Sequence, residues 1–143
     1  MLYTPLTKKA LSLCFEAHKN QVDKSGLPYV FHPFHLAESM TDELSTVCAL
    51  LHDVAEDTEY SFSDIRNTGF PEEVLEVLRL LTHEDGVEYE DYVKNLSKNP
   101  VARKVKLEDL KHNSDLTRLD TVTEKDLERA RKYKNAIEFL ESI

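Results

Sequence analysis

Apolar residues recur at three- and four-residue spacing along most of this 143-residue chain, and no segment alternates with the period of two that a half-buried strand needs. That pattern restricts the fold class to all-α. Thr4 and Pro5 read as an N-cap and first helical residue, opening a helix whose Leu6, Ala10, Leu13, Cys14 and Ala17 share one face. It should run to about His18 or Gln21. "PEEVLEVLRLLTH" is amphipathic, with Pro71, Glu72 and Glu73 in a first turn that favours them. Pro100 starts a helix through Val101, Val105 and Leu107 into "KLEDLKHN", and Thr123 caps a long one along Leu127, Ala130, Tyr133, Ile137 and Leu140. Shorter helices are expected from Pro33 to about Met40, from Thr41 or Ser45 into "LLHDVAEDT", over "SFSDIRNTG", and from Glu88 to Leu96. With only 3 Gly, 5 Pro and no Trp, the expected architecture is one domain, 1–143, an orthogonal bundle of roughly seven or eight helices.

Charge narrows the partners. A net charge of -9 disfavours broad binding to nucleic acid or to an anionic membrane, because both surfaces would be negative. The charge is uneven: residues 1–100 hold 8 basic and 18 acidic side chains, whereas 101–134 hold 10 basic and 7 acidic. A small anionic ligand has a positive region to use. No apolar signal core opens the sequence and no apolar run is long enough to span a bilayer, so a cytoplasmic protein is expected. Cys14 and Cys48 lie inside apolar helical patterns with no Cys-x-x-Cys spacing, which reads as inert core thiols.

The stretch "LLHDVAEDTEY" sets His52 beside Asp53 and follows them with Glu56, Asp57 and Glu59, directly behind the apolar run Val47 to Leu51. On a continuous helix His52 and Glu56 stack one turn apart, as do Asp53 and Asp57, so like charges crowd one arc of surface. A divalent cation turns that repulsion into attraction. His with Asp suits Mn²⁺, Fe²⁺ or Zn²⁺, but two adjacent residues cannot complete a coordination sphere. The candidate further ligands are His32, at a loop-to-helix junction, and Asp109, inside the helix that Pro100 starts. Taken singly, His32 also reads as a capping or core histidine and Asp109 as a surface carboxylate. His35 reads as structural, and His18, His83 and His112 receive no ligand role, although His112 is placed to orient a nearby acid.

A single His, then His-Asp, then a distant Asp resembles the HD-domain metal-dependent phosphohydrolases. More narrowly, "HKNQVDKSGLPYVFHP", "LLHDVAEDT" and "VKLEDLKHN" resemble three signature segments of the hydrolase domain of the RelA/SpoT-homologue alarmone enzymes and their small free-standing relatives. The resemblance implies an HD-domain helical bundle in which His32, His52, Asp53 and Asp109 hold one divalent metal, Mn²⁺ in that family. It implies that Glu56 and Asp57 position and deprotonate the attacking water, that Lys24 and Ser25 contact the nucleotide, and that Asn113 lines the same pocket. The implied reaction is hydrolysis of the 3′-pyrophosphate of guanosine tetra- or pentaphosphate. Lys24, Lys104, Lys106 and Lys111 are expected to offer charge to that polyanion.

Departures from the family pattern are equally specific. Asp23 stands where the family usually has an Arg flanking the base, which removes a stacking cation and brings a carboxylate towards the nucleotide. After Asp109 the sequence runs Leu110, Lys111, His112, Asn113, and continues with Ser114, Asp115 and Leu116 in place of the usual Met-Arg-Thr. Another nucleotide or phosphate ester is therefore an alternative substrate. A catalytically silent, metal-stabilised nucleotide-binding module is a further alternative, against which the acid pair Glu56 and Asp57 argues. No stretch of the sequence reads as a synthetase domain, so synthesis of the alarmone is not expected.

Overall fold

The computed structural model describes residues 1–143. Its helices are α1 (Pro5–His18), α2 (Phe31–Glu38), α3 (Glu43–Leu51), α4 (Val54–Asp57), α5 (Phe62–Asn67), α6 (Glu72–Leu81), α7 (Tyr89–Leu96), α8 (Pro100–Asn113) and α9 (Glu124–Glu141), with a 3₁₀ turn at Leu116–Arg118 between the last two. The architecture is all-helical, and an isolated β-bridge between Val22 and Pro28 is its sole extended pairing.

The bundle is organised around α3. Its residues Ser45 to Leu51 are all buried, because a helix that is apolar all round must be covered on every side. Helices α1, α2, α6 and α8 supply that cover, and the resulting core is one cluster of 27 buried apolar residues. The run Val47 to Leu51 thus carries the chain straight through the core and delivers His52 to its far edge.

Local chemistry explains most helix boundaries. Thr4, Ser61 and Thr123 each form a reciprocal capping box at the start of α1, α5 and α9, satisfying backbone donors that a first turn leaves orphaned. Asp42 and Asn99 cap α3 and α8 by accepting from backbone N–H groups. Helix α2 begins at Phe31, two residues before the expected Pro33. A proline at the third helical position is tolerated because its missing N–H would have had no partner there.

The segment from Thr41 or Ser45 to Asp57 is two helices and not one. Asp53, at φ -106 and ψ 0, interrupts the rod and starts the single turn α4, in the sparsely populated bridge region where site residues often sit. This break adds the single turn α4 to the roughly seven or eight helices expected. His52 and Asp53 therefore stand at a bend between helices instead of on one continuous face, although Asp57 N–H still bonds to Asp53 C=O at 2.9 Å.

Between α1 and α2 the chain forms a tight loop held by Asp23. Its Oδ1 accepts from Ser25 N–H (2.9 Å), the Ser25 hydroxyl (2.5 Å) and Leu27 N–H (3.1 Å). Gly26, at φ +83, takes a turn conformation that a side chain disfavours.

Candidate metal centre and adjoining pocket

Four side chains from three places in the chain converge where α2, the α3–α4 break and α8 meet. One ligating atom each from His32, His52, Asp53 and Asp109 lies within 4.8 Å of all the others. His32 Nε2 is 2.8 Å from Asp109 Oδ1, His52 Nε2 is 2.9 Å from Asp53 Oδ2 and 3.5 Å from Asp109 Oδ1. These are the four residues singled out above as a ligand set. The packing of α8 explains Asp109, since it shares the buried face of that helix with Ala102, Val105 and Leu110.

The donor chemistry fits a cation. His52 Nδ1 donates to Ala49 C=O at 2.7 Å, so in the neutral ring Nε2 is a bare lone pair. That nitrogen is buried without a hydrogen-bond partner and faces two carboxylate oxygens, an arrangement that is repulsive until positive charge enters. Protonating the ring is one route: burial opposes it, yet Asp53 and Asp109 hold the His52 pKa well above the ordinary value. A divalent ion is the other, since ligands each roughly 2.0–2.2 Å from one metal stand about 3 Å from one another. The mixture of imidazole and carboxylate suits a borderline or hard divalent ion.

Outer contacts hold these side chains in place. Asp109 Oδ2 accepts from Lys106 Nζ at 2.8 Å and Oδ1 from Asn113 Nδ2 at 3.0 Å. Burial works against the Asp109 charge, but Lys106 and the two histidines keep its carboxyl well below the usual range. The Lys106 ammonium is largely removed from water, and Asp109 with the nearby Tyr92 and Tyr89 keeps its pKa well above normal against that desolvation. His32 Nδ1 lies 2.7 Å from His112 Nδ1, and His35 stacks on His112 with centroids 4.1 Å apart. His112 therefore meets a histidine and not the acid it was expected to orient. The Tyr29 hydroxyl donates to Asp53 Oδ2, and the His18 ring packs against Tyr29.

Glu56 and Asp57 sit on α4, immediately past Asp53, and both are solvent-accessible. Partial burial and the Asp53 charge raise the pKa of each above the ordinary carboxylate value. A carboxylate so perturbed is a better proton acceptor near neutrality than an exposed one.

A cavity of about 320 Å³ adjoins the cluster, and Lys24, Ser25 and Asn113, the three residues expected at a nucleotide, all line it. Tyr29 and Asn113 belong to both places, touching Asp53 and Asp109 respectively while facing the cavity. The other expected lysines are engaged elsewhere: Lys104 pairs with Asp42, Lys106 with Asp109 and Lys111 with Glu108. Asp23 is not a free negative charge either. Arg118 Nη2 meets its Oδ2 at 3.0 Å, so a cation from the 3₁₀ turn stands beside the carboxylate that replaces the family's arginine. Tyr29 and Arg118 were not picked from the sequence, and Lys106 was expected to meet the ligand and not Asp109. Tyr29 and Lys106 lie three residues from His32 and Asp109, a spacing that points to them; Arg118 has no such local sign.

No family model matches the chain. Among solved structures it resembles that of a metazoan SpoT orthologue described as hydrolysing ppGpp, with a TM-score of 0.79 over 98% of this chain and 87% of the other, at 24% identity. The fold is thus that of a SpoT-type hydrolase. In sequence it is 31% identical over 147 residues to a GTP pyrophosphokinase of Streptomyces coelicolor, covering 94% of this chain, and 33% identical over 86 residues to a guanosine-3′,5′-bis(diphosphate) 3′-pyrophosphohydrolase of Aquifex aeolicus, covering 57%. The chain is a RelA/SpoT hydrolase-like relative of these proteins. It spans 16% and 12% of their respective lengths.

Proposed function

We propose that this chain is a metal-dependent phosphohydrolase of the cytoplasm that removes the 3′-pyrophosphate of guanosine tetra- or pentaphosphate or of a related nucleotide. The observation that carries the reading is the buried convergence of His32, His52, Asp53 and Asp109 beside an open acid pair and a nucleotide-sized cavity. Those four side chains would hold one divalent ion, Mn²⁺ by resemblance. When bound, such an ion supplies Lewis acidity towards a phosphoryl oxygen and makes nearby water more acidic.

The chain's own residues do the rest. Glu56 and Asp57 orient the attacking water and take its proton. The water oxygen bonds to phosphorus, the bond from phosphorus to the ribose 3′-oxygen breaks, the proton taken from the water returns to that oxygen to give a 3′-hydroxyl, and pyrophosphate is released. Lys24 and Ser25 hold the nucleotide in the cavity. Asn113 couples the cavity to Asp109, so ligand position and carboxylate position are fixed together. A second reading keeps the site and changes the nucleotide, because Asp23 and Leu116 depart from the family pattern at the cavity wall.

The test is metal analysis of the purified protein followed by incubation with Mn²⁺ and guanosine tetraphosphate, alongside other nucleotides and simple phosphate esters. Release of pyrophosphate from the tetraphosphate supports the first reading, and turnover confined to other compounds supports the second. A protein that retains no divalent metal and turns over none of them overturns both.

A further inference from the structure

His18 and Gln21 belong neither to the metal cluster nor to the cavity wall, yet they reach the turn that carries the acid pair. The Gln21 side chain spans two elements: its Nε2 donates to Asp57 C=O at 2.8 Å, and its Oε1 faces His18 Nδ1 at 2.7 Å. A carbonyl can only accept, so the amide must turn its NH₂ towards Asp57, and its oxygen then takes the proton of His18 Nδ1. The other ring nitrogen of His18, Nε2, is buried with no hydrogen-bond partner, as a neutral ring protonated at Nδ1 leaves it. Burial lowers the pKa of this ring, which keeps it neutral. The backbone of Gln21 is fixed as well. Its N–H donates to His18 C=O at 3.0 Å and its C=O accepts from Tyr29 N–H at 2.8 Å, beside the Val22–Pro28 bridge.

What this brace holds would not hold itself. Helix α4 is a single turn of four residues, far short of the length at which a helix is stable alone. It ends in two carboxylates, where the helix dipole disfavours them. Glu56 and Asp57 are exposed, so the backbone of the turn decides where they point. That backbone is tied at both ends to one small unit. The Tyr29 hydroxyl donates to Asp53 Oδ2 at the start, Gln21 donates to Asp57 C=O at the finish, and the His18 and Tyr29 rings pack together with centroids 4.9 Å apart.

We propose that Gln21, oriented by His18, is a positioning residue for the reaction: by holding the Asp57 carbonyl it fixes the turn from which Glu56 and Asp57 reach the attacking water. It does so without touching the ligand cluster or the cavity. The assignment rests on the phosphohydrolase reading for what the acid pair does. A small displacement of a proton acceptor slows the chemical step far more than it weakens binding, so the effect of Gln21 belongs in kcat.

The test compares wild type, Gln21→Met and Gln21→Glu, each alone and combined with Glu56→Gln and Asp57→Asn. Methionine keeps the length and loses both polar contacts. Glutamate keeps the acceptor for His18 and loses the donor for Asp57, so it breaks the tie with the buried contact intact even if the methionine variant fails to fold. Mn²⁺ retention against a chelator should stay within about two-fold of wild type, and KM for guanosine tetraphosphate within about three-fold, while kcat falls about 10- to 100-fold. Without the acid pair the same substitutions should change kcat less than about two-fold, because the turn then has nothing to aim. An equal loss in both backgrounds, or a rise in KM with kcat unchanged, overturns the assignment. Hydrogen exchange needs no turnover: the Asp57 and Thr58 amides, bonded to Asp53 and Val54 C=O, should exchange about ten-fold faster in the variants while α3 keeps its protection. Unchanged exchange in α4 also overturns the assignment. The hydrolase reading fails by a separate result, absence of turnover by the wild type, and exchange then still decides whether Gln21 holds the turn.

Discussion

The Nδ1 atoms of His32 and His112 lie 2.7 Å apart across α2 and α8. Burial, Arg118 and the neighbouring histidines lower the His112 pKa to about 4, so at neutral pH its ring is uncharged and has one nitrogen free to accept. For His32 to offer Nε2 as a ligand its Nδ1 must carry the proton, and His112 Nδ1 is then the acceptor that fixes this tautomer. His112→Ala should therefore lower divalent-metal affinity about 10- to 100-fold while circular dichroism stays that of the wild type. Competition with a chelator measures the affinity, and unchanged retention of metal would contradict the tautomer argument.

Asp109 and Asp53 should differ in what their removal does to folding. Asp109→Ala strands the largely buried Lys106 ammonium, 15% exposed as a side chain, which has Asp109 as its ion-pair partner at 2.8 Å. Breaking one side of a buried pair costs about 3–5 kcal/mol. No lysine or arginine is paired with Asp53, whose contacts are Tyr29 and His52. Urea unfolding of the metal-free proteins should show Asp109→Ala as the less stable variant, and Lys106→Met combined with Asp109→Ala should recover part of the loss.

Glu56→Gln separates chemistry from metal binding. Glu56 lies outside the cluster of four converging ligand atoms, so the variant should retain the wild-type metal content. Loss of a proton acceptor should reduce turnover by about 100-fold or more. Elemental analysis and a pyrophosphate-release assay on the same preparation check both halves.

Asp23 gives a defined acid response. Burial opposes its charge, but Ser25, Leu27 and Arg118 together lower its pKa below the ordinary value. A carboxyl depressed in the folded state contributes stability that is full above the unfolded value of about 3.9 and is lost as pH falls through the folded value. The wild type should therefore lose stability below about pH 4 more steeply than Asp23→Asn. Denaturant melts at a series of acidic pH values test the slope, and parallel curves would remove this contribution.

Both thiols should be silent in the native protein. Burial, reinforced by the Asp53 charge, pushes Cys14 up to about 12, and Cys48, buried within α3, is raised further. Only a thiolate attacks thiol reagents. Labelling should appear with unfolding and not before it.

The helical class, the capped starts at Thr4 and Thr123, and the residue types of the convergent cluster were all legible in the chain itself. Periodicity and caps are settled within a few residues, and a His-Asp pair followed by acids at the end of an apolar run announces its chemistry wherever the run points. Packing decided what those residues meet. The bend at Asp53, the burial of Lys106 against Asp109, the Tyr29 hydroxyl on Asp53, and an arginine 95 positions away cancelling Asp23 all depend on which helix surfaces come together. Whether a side-chain charge is repulsive, neutralised or put to use depends on its neighbours within a few ångströms, and in a bundle those neighbours come from other helices.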